Sequence, residues 1–123
     1  MLPVHAHEAV LELAPGADAA APGAAVTVEL CGHWQHKGTC RWPHRTSVVS
    51  QDGSSLTVRV LFAAPTADRD EARRRIGSGL RRGELTGPTG QVHRWRVVRE
   101  AASIPVDGEE SLVAELARLG AGE

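Results

Sequence analysis

An Asp-Gly pair, Asp52-Gly53, is the sequence feature that most constrains the fold. It separates two strand-like segments, Thr46–Ser50 and Ser55–Phe62. In the second segment large apolar residues alternate with polar ones, as expected for a strand with one buried face; the apolar positions are Leu56, Val58, Val60 and Phe62. Asp-Gly between two such segments is typical of a tight hairpin turn. The sequence therefore predicts an antiparallel sheet built around this hairpin.

Three further segments have strand-like patterns. Val4–Leu13 and Gln91–Arg99 alternate between apolar and polar residues, and so does the shorter segment Ala25–Leu30. The stretch from 14 to 23 contains two Pro-Gly pairs among small residues, which predicts a loop.

Two segments predict helices, at about 67–82 and 109–119. Apolar residues recur at helical spacing in both. Thr66 or Asp68 can cap the first helix, and Asp68 with Glu71 has the spacing of a capping box. Asp107 stands at the start of the second helix.

Strands outnumber helices and mostly precede them, which favours an α+β fold. We predict a single two-layer domain over residues 1–123, with a mostly antiparallel sheet of four to five strands and two helices on one face. A chain of 123 residues can bury a substantial core, so it does not need a metal or a disulfide in order to fold.

Five potential metal ligands lie within fourteen residues, in the segment CGHWQHKGTCRWPH from 31 to 44. They are Cys31, His33, His36, Cys40 and His44. Zinc prefers thiolate and imidazole ligands in tetrahedral sets of four, and such ligands also suit Cu(I). We therefore predict a small metal-binding domain with Zn²⁺ as its cofactor. Its site would be mainly structural and would order the loop for recognition of a ligand or partner.

The spacing within this segment matches no standard zinc motif, so other interpretations stay open. An open coordination position would allow metal-dependent chemistry of the hydrolase or lyase type, with catalytic residues that the sequence does not identify. Cys31 and Cys40 could instead form a disulfide, or one of them could be a nucleophilic thiol activated by neighbouring His or Arg side chains. The segment could also be an ordinary structural loop.

Three histidines lie outside the segment. His5 and His7 stand two residues apart on the first predicted strand, so both point to the same face and are candidates for additional ligands. We interpret His93, beside Trp95 and Val97 on one strand face, as a histidine at the edge of the core.

Arginine accounts for thirteen of the fourteen basic residues. Seven of them could form one basic patch, which would suit an adaptor for nucleic acid or another anionic partner; they are Arg73, Arg74, Arg75, Arg81, Arg82, Arg94 and Arg96. The formal net charge is −1, so no general attraction to nucleic acid is expected. We expect a small molecule or a protein as the partner.

The cellular compartment is predicted from the lack of membrane-spanning and secretion signals in the sequence. No apolar run approaches the length of a bilayer-spanning helix, and the first residues lack the basic and apolar regions of a secretory signal. We therefore predict a cytoplasmic protein without membrane association. In that compartment cysteines are more often thiols or metal ligands than disulfide partners.

Overall fold

The computed structural model describes residues 2–31 and 41–121, which form five strands and three helices. The strands are β1 (Val4–Leu13), β2 (His44–Asp52), β3 (Ser55–Ala63), β4 (Glu84–Thr86) and β5 (Val92–Ser103). The helices are α1 (Ala21–Cys31), α2 (Arg69–Arg81) and α3 (Glu110–Ala121), and a short 3-10 turn at Thr66–Asp68 leads into α2.

The five strands form one antiparallel sheet in the order β2-β3-β1-β5-β4. β1 and β2 run parallel with β3 between them, and α1 connects them. β3 and β5 run parallel with β1 between them, and α2 followed by β4 connects them. Two interlocked units of this kind make the split βαβ arrangement. The predicted α+β fold is therefore confirmed, as is the hairpin at Asp52-Gly53, where Gly53 has a φ of 61°.

One face of the sheet packs against α1 and α2 to form the main core. Alternate residues of β1 and β3 supply the sheet side, and each fully buried Leu, Ile, Val or Phe contributes about 1.5 to 3 kcal/mol to folding. The buried sheet residues include Leu11, Leu56, Val58, Val60 and Phe62, and the buried helix residues include Ala25, Val26, Leu30, Ala72, Ile76 and Leu80.

The predicted strand Ala25–Leu30 is part of a helix, α1, and the predicted loop before it is correspondingly shorter. Ala25, Val26 and Leu30 are buried, which is a helical spacing. Val26 and Leu30 are four residues apart and even-numbered, so the same two residues fit both a helical and a strand period. Packing against α2 decides between them, because α1 supplies half of the helical layer that covers the sheet.

The opposite face of the sheet is covered by α3. Leu116 is buried there with Ala6, Leu61 and Ala63. α2 and α3 agree with the predicted helices to within two residues at each end, but they cover opposite faces of the sheet, whereas the sequence suggested one shared face. Strand β4 has only three residues and was not expected from the sequence.

The capping box predicted at the start of α2 does not form. Asp68 makes no side-chain hydrogen bond to the backbone of the first turn. Its carboxylate accepts hydrogen bonds from Arg41 and from Nε1 of Trp42 instead, and so ties the start of β2 to α2.

Candidate functional site

A β-bulge in β5 places an acidic residue on the face that α1 and α2 cover. Val97 lies opposite Leu11 of β1, and the next residue of β1, Val10, lies opposite Arg99. Val98 is therefore the extra residue of the bulge. Before the bulge, the odd-numbered residues of β5 face the helices. After it, the even-numbered residues face the helices, and Glu100 is one of these even-numbered residues.

Glu100 pairs with His7 of β1 on this face. His7 Nε2 lies 3.0 Å from Glu100 Oε1, and the two side chains are 7% and 17% exposed. His7 Nδ1 lies 3.4 Å from Nη1 of Arg73, a group that can only donate. Nδ1 is therefore the acceptor and Nε2 the donor, which defines a neutral ring. Burial lowers the pKa of His7 below its ordinary value despite the nearby Glu100 carboxylate, in keeping with this tautomer.

Helix α2 presents three residues to this pair, namely Arg73, Gly77 and Arg81. They are four residues apart and therefore share one side of the helix. Arg81 Nη1 lies 2.9 Å from each carboxylate oxygen of Glu100. A Cβ atom at Gly77 would lie 2.8 Å from both Arg81 Nη1 and Glu100 Oε1. The glycine thus leaves room for the ion pair.

Arg73 differs from Arg81 because its hydrogen bonds go to uncharged groups. Nη1 donates to the carbonyl of Ala6, and Nη2 donates to the carbonyl of Ser103 at 3.4 Å. The ion pairs among residues 2–31 and 41–121 do not include it. Burial lowers the pKa of its guanidinium, although an arginine stays charged in a protein. Arg73 is therefore a half-buried cation that makes no ion pair with a described carboxylate, although the charge of the exposed Asp70 acts on it.

An open cleft lies beside Arg73, between the start of α2 and the end of β5. Its volume is about 590 Å³, and its lining consists of Arg69, Asp70, Arg73, Ala102, Ser103 and Ile104. Arg69 and Asp70 pair with each other at 3.3 Å, so Arg73 carries the net charge of the lining. Ala102 and Ile104 add apolar surface. A cleft of this size can hold a small organic molecule.

The prediction of a zinc-binding domain is wrong. In the described ranges, no three His, Cys, Asp or Glu side chains come together as a metal site requires. Cys31 is disulfide-bonded, so it offers neither a thiolate ligand nor a nucleophilic thiol. His44 uses both ring nitrogens within the protein, Nε2 with Thr27 Oγ1 and Nδ1 with the carbonyl of Trp42, at 3.1 Å each. His33, His36 and Cys40 lie outside the described residues.

The other histidines are spread over separate parts of the sheet. His5 Nε2 lies 3.1 Å from the carbonyl of Ala64, and its ring lies against Phe62. His93 Nδ1 accepts a hydrogen bond from the backbone of Asp18. His5 and His7 share a face, as predicted, but each has protein partners of its own.

The arginines do not form one basic patch. Arg74 and Arg75 both pair with Glu71 and hold the pKa of that carboxyl at about 2. Arg94 pairs with Glu84. Arg94 and Arg96 also alternate with the buried Trp95 on β5, so they face away from α1 and α2. The predicted adaptor surface is therefore divided between two faces and partly neutralised.

Sequence reasoning missed the group formed by His7, Arg73, Arg81 and Glu100. One signal was available: Arg, Gly and Arg at four-residue intervals make a helix side that is neither apolar nor simply solvated. The position of Glu100 was not available, because it depends on the bulge.

The chain matches no known family model, no curated protein and no solved structure. The described helices include none that is long and apolar enough to cross a bilayer.

Proposed function

We propose that this domain binds a small organic anion in the cleft beside Arg73, with a carboxylate or phosphate group on the guanidinium and an apolar part against Ala102 and Ile104. One observation carries the proposal: Arg73 is half-buried at the wall of a cavity and has no carboxylate partner among the described residues. A cation removed from water is costly unless it is paired. An anion from outside the chain would supply the pair.

The hydrogen bonds of Arg73 leave some of its guanidinium N–H donors available. An arginine has five N–H donors, and the described contacts use three of them, to Ala6, His7 and Ser103. Nε–H and one N–H of Nη2 remain. These donors can make charge-assisted hydrogen bonds to the oxygens of a carboxylate or phosphate.

His7 and Glu100 hold Arg73 in place in this proposal. The neutral His7 ring accepts from Arg73 and donates to Glu100, while Arg81 neutralises Glu100. The carboxylate is therefore satisfied by other groups, and Arg73 is not drawn into a pair with it. The positive charge stays directed at the cleft.

The proposal is tested with inorganic phosphate and with short-chain carboxylates of increasing chain length, at constant ionic strength set with chloride. Binding is followed by thermal unfolding and by two-dimensional amide NMR. We expect saturable stabilisation, as mass action requires of a ligand that binds only the folded state. The amide signals of Ala102, Ser103 and Ile104 should shift most, and affinity should rise with chain length.

Two variants make the test specific. Arg73→Met should abolish the saturable response, because it removes the charge and keeps a long side chain. Arg74→Met should leave the response unchanged, because Arg74 lies next to it on α2 but is exposed and paired with Glu71. A response that survives in Arg73→Met, or no response to any of these anions in the unmodified protein, would overturn the proposal.

A further inference from the structure

The outer edge of β2 carries unused backbone hydrogen-bonding groups. β2 is at one end of the sheet, and the described part of the chain places no strand beyond it. The backbone N–H of Ala63 donates to the carbonyl of Pro43 at 2.8 Å, which makes these two residues a hydrogen-bonded pair. Such pairs alternate along an antiparallel ladder. The N–H and C=O groups of His44 and Thr46 therefore point away from β3.

This edge has few of the usual protections against pairing with another strand. Edge strands are often short, or carry lysine or proline, whereas β2 has nine residues and contains neither. Val48 and Val49 are 45% and 51% exposed. One protective device is present, a bulge: Val48 lies opposite Val58, and Ser50 lies opposite Thr57, so Val49 is an extra residue.

The sequence of β2 is complementary to itself when β2 of a second copy runs antiparallel beside it. If two copies pair antiparallel about a two-fold axis, with Val48 opposite Val49 of the second copy, each step outward makes a matched pair. Ser47 then lies opposite Ser50, Thr46 opposite Gln51, and Arg45 opposite Asp52. The last pair joins opposite charges and occurs twice.

The bulge makes this register possible. In a regular strand Arg45 and Asp52 are seven residues apart and point to opposite faces, so they could not meet across a two-fold axis. With the extra residue Val49, both lie on the face that α3 covers. Arg45 is opposite Leu61, and Asp52 is opposite Ser55; these odd-numbered residues of β3 share one face. The same extra residue brings Thr46 and Gln51 together on the other face.

We infer that β2 is the interface of a homodimer, in which two sheets join edge to edge with Arg45 of each copy against Asp52 of the other. Neither side chain belongs to an ion pair among the described residues, so both charges are available. The backbone groups of the edge give affinity, and the two charge pairs select the register. This inference is independent of the cleft beside Arg73.

The test is a charge exchange followed by sedimentation velocity over a wide range of protein concentration. The unmodified chain should show a concentration-dependent dimer. Arg45→Asp places two carboxylates opposite each other at each contact. Asp52→Arg places two guanidinium groups opposite each other at each contact. Each variant alone should therefore dimerise at least about tenfold more weakly. An equimolar mixture of the two should dimerise again, because both contacts between unlike variants join opposite charges.

The mixture also controls for misfolding, since two unfolded variants would not restore a dimer. Arg99→Asp on β5 makes the same change in net charge away from the edge and should dimerise like the unmodified chain. A monomer at every concentration would refute the inference. So would a dimer that both exchanges leave unchanged, or a mixture that stays monomeric.

Discussion

Arg59 of β3 holds both carboxylate oxygens of Glu109, fifty residues further along the chain. Nε donates to Oε2 and Nη2 donates to Oε1, at 2.9 Å each. The Arg59 side chain is only 9% exposed, and it also pairs with Glu8 at 3.0 Å. A paired guanidinium on the sheet therefore fastens the segment that leads into α3.

Replacing Arg59 should destabilise the fold strongly. Arg59→Met keeps the length of the side chain but leaves Glu109, which is 17% exposed, without its partner. Removing one partner of such a partly buried pair costs about 1 to 3 kcal/mol. Urea unfolding measures the loss. Arg96→Met, an exposed position on β5, should stay within about 0.5 kcal/mol of the unmodified protein. A similarly small effect at Arg59 would show that its pair with Glu109 does not fasten α3 to the sheet.

Two glycines on α2 should respond differently to substitution by alanine. A Cβ at Gly79 would lie 2.9 Å from backbone atoms of Ala25 and Val26, so Gly79→Ala must push α1 and α2 apart and should cost about 1 to 3 kcal/mol. At Gly77 the Cβ would meet only the far ends of the Arg81 and Glu100 side chains. These side-chain ends can move, and alanine stabilises a helix by about 1 kcal/mol relative to glycine.

Thermal and urea unfolding of both glycine variants check this prediction. Gly77→Ala should be close to neutral and Gly79→Ala clearly destabilised. The reverse order would show that α1 does not approach α2 as closely at Gly79 as described.

Stability should fall as the pH is lowered past the ordinary pKa of histidine, and His7 should account for part of the fall. Burial lowers the pKa of His7 in the folded protein below its ordinary value of 6.5. The unfolded chain then binds a proton at a higher pH than the folded protein does. The contribution of His7 to the free energy of unfolding is therefore fully present above about pH 6.5. It decreases as the pH falls from there to the lower pKa of the folded protein.

The pH prediction is measured by urea unfolding at a series of pH values. His7→Gln should flatten the decrease, because glutamine can still donate to Glu100 and does not titrate. Arg96→Met, an exposed substitution on the far face of the sheet, is the control and should keep the slope of the unmodified protein. Parallel curves for the unmodified protein and His7→Gln would show that His7 titrates alike in both states.

Reducing agents should lower the stability of the domain. Cys31 is disulfide-bonded, and we predict that Cys40 is its partner, since it is the chain's other cysteine. A bond that closes a loop of about ten residues stabilises the fold by about 2 to 3 kcal/mol in the chain-entropy account. Peptide mapping without reductant should find the Cys31–Cys40 link. A doubled mass that reductant halves would instead show a bond between two chains.

The sequence predicts β3 well because one face of that strand is buried along its whole length, which makes the alternation of apolar residues complete. α1 cannot be assigned in the same way, because Val26 and Leu30 satisfy both a helical and a strand period. Only the contact with α2 distinguishes the two, and that contact is not visible in a local pattern. Helix α2 is easier to assign, because Arg74 and Ser78, which would share a strand face with the apolar Ala72, Ile76 and Leu80, are polar.

The candidate site could be predicted only in part. The shared face of His5 and His7 follows from their spacing, and the line of Arg73, Gly77 and Arg81 follows from theirs. The position of Glu100 does not follow, because regular alternation would place it with Arg96 on the far side of the sheet. The composition of segment 31–44, with its Cys and His residues, led to the prediction of a metal site. Cys31 and His44, however, are committed to bonds within the protein.

The bulge at Val98 also determines where β5 tolerates a change in length. Deleting Val98 would restore an ordinary ladder and leave Glu100 and Ala102 on their present face. Deleting a residue of β5 before Trp95 or after Glu100 would keep the bulge and turn the side chains on one side of the cut to the opposite face. Related chains that differ in length within this strand should therefore show their gap between Trp95 and Glu100, around the bulge.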